Sequence, residues 1–137
     1  MIEGLSHFTF FVHDLDKMSR VIVDVLGGQE VYASGTKLHS TASEKFFDVA
    51  GLWIAIMKGD PLPTRTYNHV AFKVSVEQLA KAKLAIEALG LDMREPRPRV
   101  SGEGQSLYFH DYDNHLFELH TGTLDERLAA YKKLDVV

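Results

Sequence analysis

Apolar and polar side chains alternate with a period of two along His7-Phe8-Thr9-Phe10-Phe11-Val12, and the same alternation returns along His69-Val70-Ala71-Phe72-Lys73-Val74. Successive side chains of a strand point to opposite faces, so this period predicts strands. The first is expected from Leu5 to Val12, with Leu5, His7, Thr9 and Phe11 on one face. Asp14 can cap a helix whose apolar positions are Leu15, Met18, Ile22 and Val25, and Gly27-Gly28 should end it. Gln29 to Ala33 and Leu52-Trp53-Ile54-Ala55-Ile56-Met57 read as further strands, separated by a polar loop from Gly35 to Lys45. Gly59-Asp60-Pro61-Leu62-Pro63 is a linker, since both prolines oppose regular structure.

The pattern then restarts. Tyr67 to Val74 is a strand with Tyr67, His69, Ala71 and Lys73 on one face. Ser75 and Gln78 have the spacing of a capping box for a helix that runs to Leu89 and stops at Gly90. Leu91 to Arg94, Gln105 to His110 and His115 to His120 are the remaining strands, with a turn at Asp111-Tyr112-Asp113-Asn114. Glu95 to Gly104 is a basic loop rich in Pro and Gly, and Thr123 with Glu126 opens a short terminal helix from Leu124 to Leu134. The order is βαβββ twice plus that helix. It predicts an α+β fold of two modules, residues 1–60 and 61–137, within one compact domain.

The two histidines lie 62 residues apart at the same place in their strands. A single histidine in an apolar strand is ordinarily a hydrogen-bonded core or surface residue. A pair at matched positions of a repeat favours metal ligation, and Glu118, in Leu116-Phe117-Glu118-Leu119, adds a carboxylate. Two histidines and one carboxylate make a facial site with open positions for a substrate. An ionised carboxylate between Phe117 and Leu119 would be costly to bury without a cation or hydrogen bonds, although the alternation also allows Glu118 to face solvent with Leu116 and His120. His120 is the reserve ligand, while His13, His39, His110 and His115 read as ordinary polar residues. Shifting Glu118 back by 63 residues lands on Ala55, so the first module keeps the histidine and lacks the carboxylate. One complete site per pair of modules follows. With no sulfur among the ligands, Mn²⁺, Fe²⁺, Ni²⁺ and Zn²⁺ all suit it.

Composition narrows the setting. The chain has 137 residues, 45% of them hydrophobic, enough for a real core. Its 15 basic and 19 acidic side chains are well mixed, with a net charge of −4, which gives no nucleic-acid footprint and no membrane-surface helix. The absence of cysteine excludes disulfides, thiolate ligands and a cysteine nucleophile, and suits a reducing cytoplasm. Met1-Ile2-Glu3-Gly4 lacks a basic leader, and no apolar run approaches the roughly 20 residues of a membrane span.

Three segments carry a resemblance over nearly the whole chain: His7-Phe8-Thr9, Tyr67-Asn68-His69-Val70-Ala71-Phe72, and Tyr108-Phe109-His110-Asp111 with His115-Leu116-Phe117-Glu118-Leu119-His120. The chain resembles the vicinal oxygen chelate superfamily, whose paired βαβββ modules bear metal ligands at these places. Within it, the chain is similar to the fosfomycin resistance proteins of the FosX type. The resemblance implies ligands at His7, His69 and Glu118, Mn²⁺ as cofactor, and a general base at Glu44, which would otherwise read as a solvated loop carboxylate beside Lys45. It implies hydration of the fosfomycin epoxide, a small phosphonate, to a vicinal diol. Thr9, Arg97, Ser101, Tyr108 and Arg127 are the implied substrate contacts, with Arg99 an alternative to Arg97. It further implies a homodimer with exchanged modules, so that His7 comes from one chain and His69 with Glu118 from the other. Other chemistries of the same scaffold are a thiol transferase on fosfomycin, a ring-cleaving dioxygenase, a glyoxalase-like isomerase and an antibiotic-sequestering protein. Glu44 favours the hydrolase over the transferase, Ala55 opposes a four-ligand isomerase site, and the complete triad opposes mere sequestration.

Overall fold

The computed structural model describes residues 1–95 and 97–135; Pro96, inside the expected basic loop, and the last two residues of the second expected module lie outside that range. The chain divides into two compact units, Met1–Thr64 with Asp111–Asn114, and Arg65–His110 with His115–Val137.

The first unit holds β1 (His7–Val12), α1 (Leu15–Arg20), β2 (Gln29–Ala33), β3 (Glu44–Val49) and β4 (Leu52–Lys58). The sheet order is β1-β4-β3-β2, with β1 parallel to β4 and the other pairs antiparallel. β1 starts two residues later than the alternation predicts. His7 pairs Trp53, so Leu5 would fall opposite Gly51, in the left-handed Ala50-Gly51 turn where no strand continues. Asp14 caps α1 by accepting from the Lys17 N–H at 3.0 Å. The helix expected to reach Val25 widens into a π-helical turn over Val21–Val25, with Leu26 N–H donating to the Val21 carbonyl. This wider turn spans the β-branched run Val21-Ile22-Val23, whose stiff side chains crowd a regular helix.

The polar loop expected to run to Lys45 ends earlier, because Glu44 and Lys45 already belong to β3, paired with Met57 and Ile56. One face of this sheet packs Val12, Phe47, Ile54 and Ile56, all essentially buried, into a core with Met18 and Ile22. Register places His7 with Trp53, Thr9 with Ala55 and Phe46, and Phe11 with Met57 and Glu44 on the opposite face. The turn Asp111–Asn114 is packed within this unit. Buried Asp113 accepts from the His13 backbone N–H at 2.9 Å and lies 2.8 Å from its Nδ1, and Asn114 donates to the Leu62 carbonyl at 2.7 Å.

The second unit holds β5 (His69–Lys73), α2 (Val76–Ala88), β6 (Met93–Arg94), β7 (Ser106–His110), β8 (Leu116–His120) and α3 (Leu124–Asp135). Its order is β5-β8-β7-β6, again with the first pair parallel. Ser75 and Gln78 form both halves of the capping box. At α3, Glu126 N–H donates to Thr123 Oγ1 at 3.2 Å and the Thr123 hydroxyl donates to Glu126 Oε1 at 3.0 Å. Phe109, Phe117, Leu119 and Ile86 are its most buried apolar side chains. The reverse face carries His69, Ala71 with Glu118 and Tyr108, and His120 with Ser106. Among the described residues no helix is long and apolar enough to cross a membrane.

Candidate active site

Glu118 sits at the centre of the second unit's open face, opposite Ala71 on β5 and Tyr108 on β7. The question left open by alternation is answered by burial: Glu118 is only 4% exposed. Arg99 Nη2 donates to its Oε2 at 2.9 Å, and the Ser106 hydroxyl donates to the same oxygen at 2.5 Å. Burial works to raise this carboxyl's pKa, but the hydrogen bonds of Ser106 and Tyr108 and the charge of Arg99 outweigh it and hold the group below its ordinary range.

His69 Nδ1 lies 2.7 Å from the Tyr67 carbonyl, which can only accept, so that nitrogen carries the proton. The other nitrogen, Nε2, lies 3.1 Å from Glu118 Oε1. In the neutral ring this sets a lone pair against a carboxylate oxygen, an arrangement that calls for a proton or a cation. An imidazole held through its far N–H by a backbone carbonyl is the usual support of a metal-ligating histidine. The donor set therefore fits a divalent metal. His120 completes the face: its Nδ1 lies 2.6 Å from Ser106 Oγ and 3.5 Å from Glu118. Since the Ser106 proton goes to Glu118, His120 Nδ1–H is the donor in that contact. Desolvation lowers the His120 pKa, with Arg99 and Arg127 adding to the effect and Glu118 opposing it.

A cationic cluster flanks these acceptors. Arg99 Nη2 also donates to Ser106 Oγ at 2.6 Å and to Tyr108 OH at 3.0 Å, while its Nη1 lies 3.4 Å from Glu103. Its Nε is buried and has no hydrogen-bond partner among the described residues, a donor suited to an anionic oxygen. Burial raises the Tyr108 phenol's pKa, helped by the hydrogen bond with Tyr67 and by the Glu118 charge. Arg97 instead makes a two-pronged pair with Glu103 and is more exposed, and Arg127 Nε reaches Glu103 at 3.4 Å. Ser101 lies in a turn and lines a groove with Glu126 and Ala130. Ser106, not Ser101, is the hydroxyl beside Glu118. Ser106 is not a candidate in the sequence, although it shares a strand face with Tyr108 two residues on; Arg99 enters there only as the alternative to Arg97, and Glu103 not at all, because their loop has no periodicity.

His7 and Glu44 belong to the first unit. The His7 ring stacks on Trp53 with centroids 4.2 Å apart, and its Nδ1 lies 2.9 Å from the Ser6 hydroxyl. Glu44 is not a solvated loop carboxylate: it opens β3, is buried, and its backbone N–H donates to Ser34 Oγ at 2.9 Å. Thr9 stands between them in register, on the same face. Within one chain, no three His, Cys, Asp or Glu side chains among the described residues gather closely enough to hold a metal.

Residues 4–119 match the Glyoxalase/Bleomycin resistance protein/Dioxygenase superfamily. The chain is 55% identical to the fosfomycin resistance protein FosX of Mesorhizobium japonicum, across 97% of this chain and 96% of that protein. It is 50% identical to the FosX of Listeria monocytogenes, across 96% and 98%. Its fold matches a crystal structure of a mutant of the Listeria monocytogenes FosX complexed with Mn(II) and 1S,2S-dihydroxypropylphosphonic acid, with a TM-score of 0.86 and 51% identity over 96% of this chain and 99% of that one.

Proposed function

Because the chain belongs to the Glyoxalase/Bleomycin resistance protein/Dioxygenase superfamily, we propose that it hydrates the epoxide of fosfomycin to a vicinal diol phosphonate with Mn²⁺ as cofactor, and so confers resistance to that antibiotic. The observation that carries this reading is a juxtaposition on one sheet face. His69 Nε2 and Glu118 call for a cation, and Arg99, with Ser106 and Tyr108, offers donors to an anion beside them. A phosphonate bearing an oxirane needs both.

His69 and Glu118 would hold the metal together with His7, and we assign His7 to a second copy in a homodimer. The face bearing His7, Thr9 and Glu44 would then come from one copy and the face bearing His69 and Glu118 from the other. Bound Mn²⁺ would act as a Lewis acid on the ring oxygen as charge develops there. Arg99 and Arg127 would bind the phosphonate, for which a guanidinium offers paired donors. Tyr108, with its proton firmly held, serves as a donor. Glu44 would take a proton from water as the water oxygen bonds to a ring carbon. The ring C–O bond breaks, its electron pair stays on the departing oxygen, and that oxygen takes up a proton to complete the diol. The sum is the addition of one water. No step consumes a thiol, and the cysteine-free chain suits a reducing cytoplasm as the place of action.

Phosphorus NMR of fosfomycin with the Mn²⁺-loaded protein tests this, with and without glutathione. The expected result is diol without thiol, slowed by about 10²- to 10⁴-fold in Glu44→Gln. A thiol adduct as the sole product would move the chain to the transferase reaction. An unchanged antibiotic signal with wild-type protein would end the proposal.

A further inference from the structure

The proposed reaction gives no role to Glu103, a fully buried carboxylate. Glu103 has no exposed surface, yet lies in the loop between β6 and β7. Its carboxylate accepts from both Nη atoms of Arg97, from Tyr131 OH at 2.8 Å and from the Val100 N–H at 3.1 Å, with Arg99 Nη1 and Arg127 Nε each at 3.4 Å. These donors come from the loop and from α3, so one side chain ties the two together. They also hold the carboxyl far below its ordinary range, the Arg97 hydrogen bonds foremost, so it stays ionised.

We propose that Glu103, braced by Arg97, is the positioning residue that holds Arg99 and Arg127 as one anion-binding face, so that affinity for a phosphonate or phosphate depends on a carboxylate whose own oxygens are taken up by these three guanidinium groups and Tyr131. The proposal rests on the reaction assigned above for the identity of the substrate, and deepens it.

Three guanidinium groups within reach of each other repel unless a counter-charge sits among them. Glu103 supplies it from behind. Arg99 shows the consequence: Glu103 takes Nη1, which turns Nη2 towards Ser106, Tyr108 and Glu118. The backbone is shaped to place this carboxylate. Gly102 and Gly104 on either side have φ of +86° and +91°, a left-handed reversal that L side chains adopt only with strain. A Cβ on Gly122 would meet the Glu103 carbonyl oxygen at 2.5 Å, so the loop is packed directly on the segment that leads into α3.

Charge and position make opposite forecasts for Glu103→Gln. If the carboxylate merely offset positive charge, its loss would leave the cluster more positive and tighten anion binding. If it holds the arginines in place, its loss weakens binding despite the added positive charge. The experiment is calorimetric titration of inorganic phosphate into the Mn²⁺-loaded full chain, wild type against Glu103→Gln. Mn²⁺ affinity is followed by electron paramagnetic resonance and turnover by KM and kcat for fosfomycin. Expected are a phosphate Kd raised by at least about ten-fold, the loss of a hydrogen bond to a charged group, and an unchanged Mn²⁺ affinity. KM should rise more than kcat falls, and Glu103→Asp should restore part of the affinity. Equal or tighter phosphate binding in a folded variant would overturn the proposal, as would a parallel loss of Mn²⁺. Should Glu103→Gln not fold, Tyr131→Phe puts the same question: roughly three-fold weaker phosphate binding supports the role, and no change refutes it. A wild type that leaves fosfomycin intact but shows the phosphate contrast would remove the proposed reaction and keep Glu103. Normal turnover with phosphate affinity indifferent to Glu103 would do the reverse.

Discussion

Arg97 and Arg99 are two positions apart in one loop, and their surroundings give them different work. Arg99 is mostly buried and shares Nη2 among Ser106, Tyr108 and Glu118. Arg97 is more exposed and spends its guanidinium on Glu103, the Pro98 carbonyl and Tyr131. Arg99→Ala should therefore raise the KM for fosfomycin by roughly 10- to 100-fold, the worth of one or two hydrogen bonds to a charged group. Arg97→Ala should cost several-fold less. Steady-state kinetics on the two variants decide it, and a larger effect at Arg97 would reverse the assignment. At this scale the strand residues His69 and Glu118 stood out from the sequence pattern and the loop residues did not. His69 could be read because a strand has a period and the repeat supplied His7 for comparison, whereas the facing of Glu118, whose counterpart is Ala55, took burial to decide. Ser106 obeys the same period, two residues before Tyr108. Arg99 and Glu103 owe their places to non-local packing of the loop against β7, β8 and α3, which no local pattern encodes.

Between elements, register turns the repeat into geometry. β1 pairs β4 and β5 pairs β8 in the same parallel sense, so Thr9 faces Ala55 where Ala71 faces Glu118. The carboxylate thus appears in one unit and a methyl group in its counterpart. The Ser75–Gln78 capping box, the Thr123 cap of α3 and the Asp14 cap were readable because each is a local contact between residues three apart. β3 was counted in the βαβββ order but not located, because Glu44-Lys45-Phe46-Phe47-Asp48-Val49 mixes charge into a short strand, and pairing with both β2 and β4 overrides its weak alternation. Helix α1 was readable as far as its end, but not its widening into a π turn. Close packing there carries its own prediction. A Cβ on Gly28 would stand 2.7 Å from Ile22 Cγ2 and 2.9 Å from Val49 Cγ2, both side chains of the first unit's core. Gly28→Ala should cost about 1–3 kcal/mol by overpacking, read as a lower urea midpoint. Unaltered stability would mean that the π turn yields readily.

For the molecule as a whole, the two units divide the proposed chemistry between them. His7, Thr9 and Glu44 share a face of the first unit; His69, Ser106, Tyr108 and Glu118 share a face of the second. Each face alone is incomplete, since the first lacks a carboxylate at Ala55 and the second has two of the three proposed ligands. If each working site joins the first unit of one copy to the second unit of another, defects placed in different units should complement. His7→Ala disables the first-unit half of a site and His69→Ala the second-unit half, so each homodimer should be inactive. A heterodimer of the two, purified through a different tag on each chain, would hold one site with both defects and one with neither. Its turnover of fosfomycin should be about half that of wild type, as the two-fold symmetry of a closed dimer requires. If instead every site is built within a single chain, each chain of the heterodimer carries one defect and turnover stays at the level of the parents. A heterodimer as inactive as its parents would therefore refute sharing of the site between copies while leaving the hydration reaction intact, because that reaction stands on the wild-type NMR result alone.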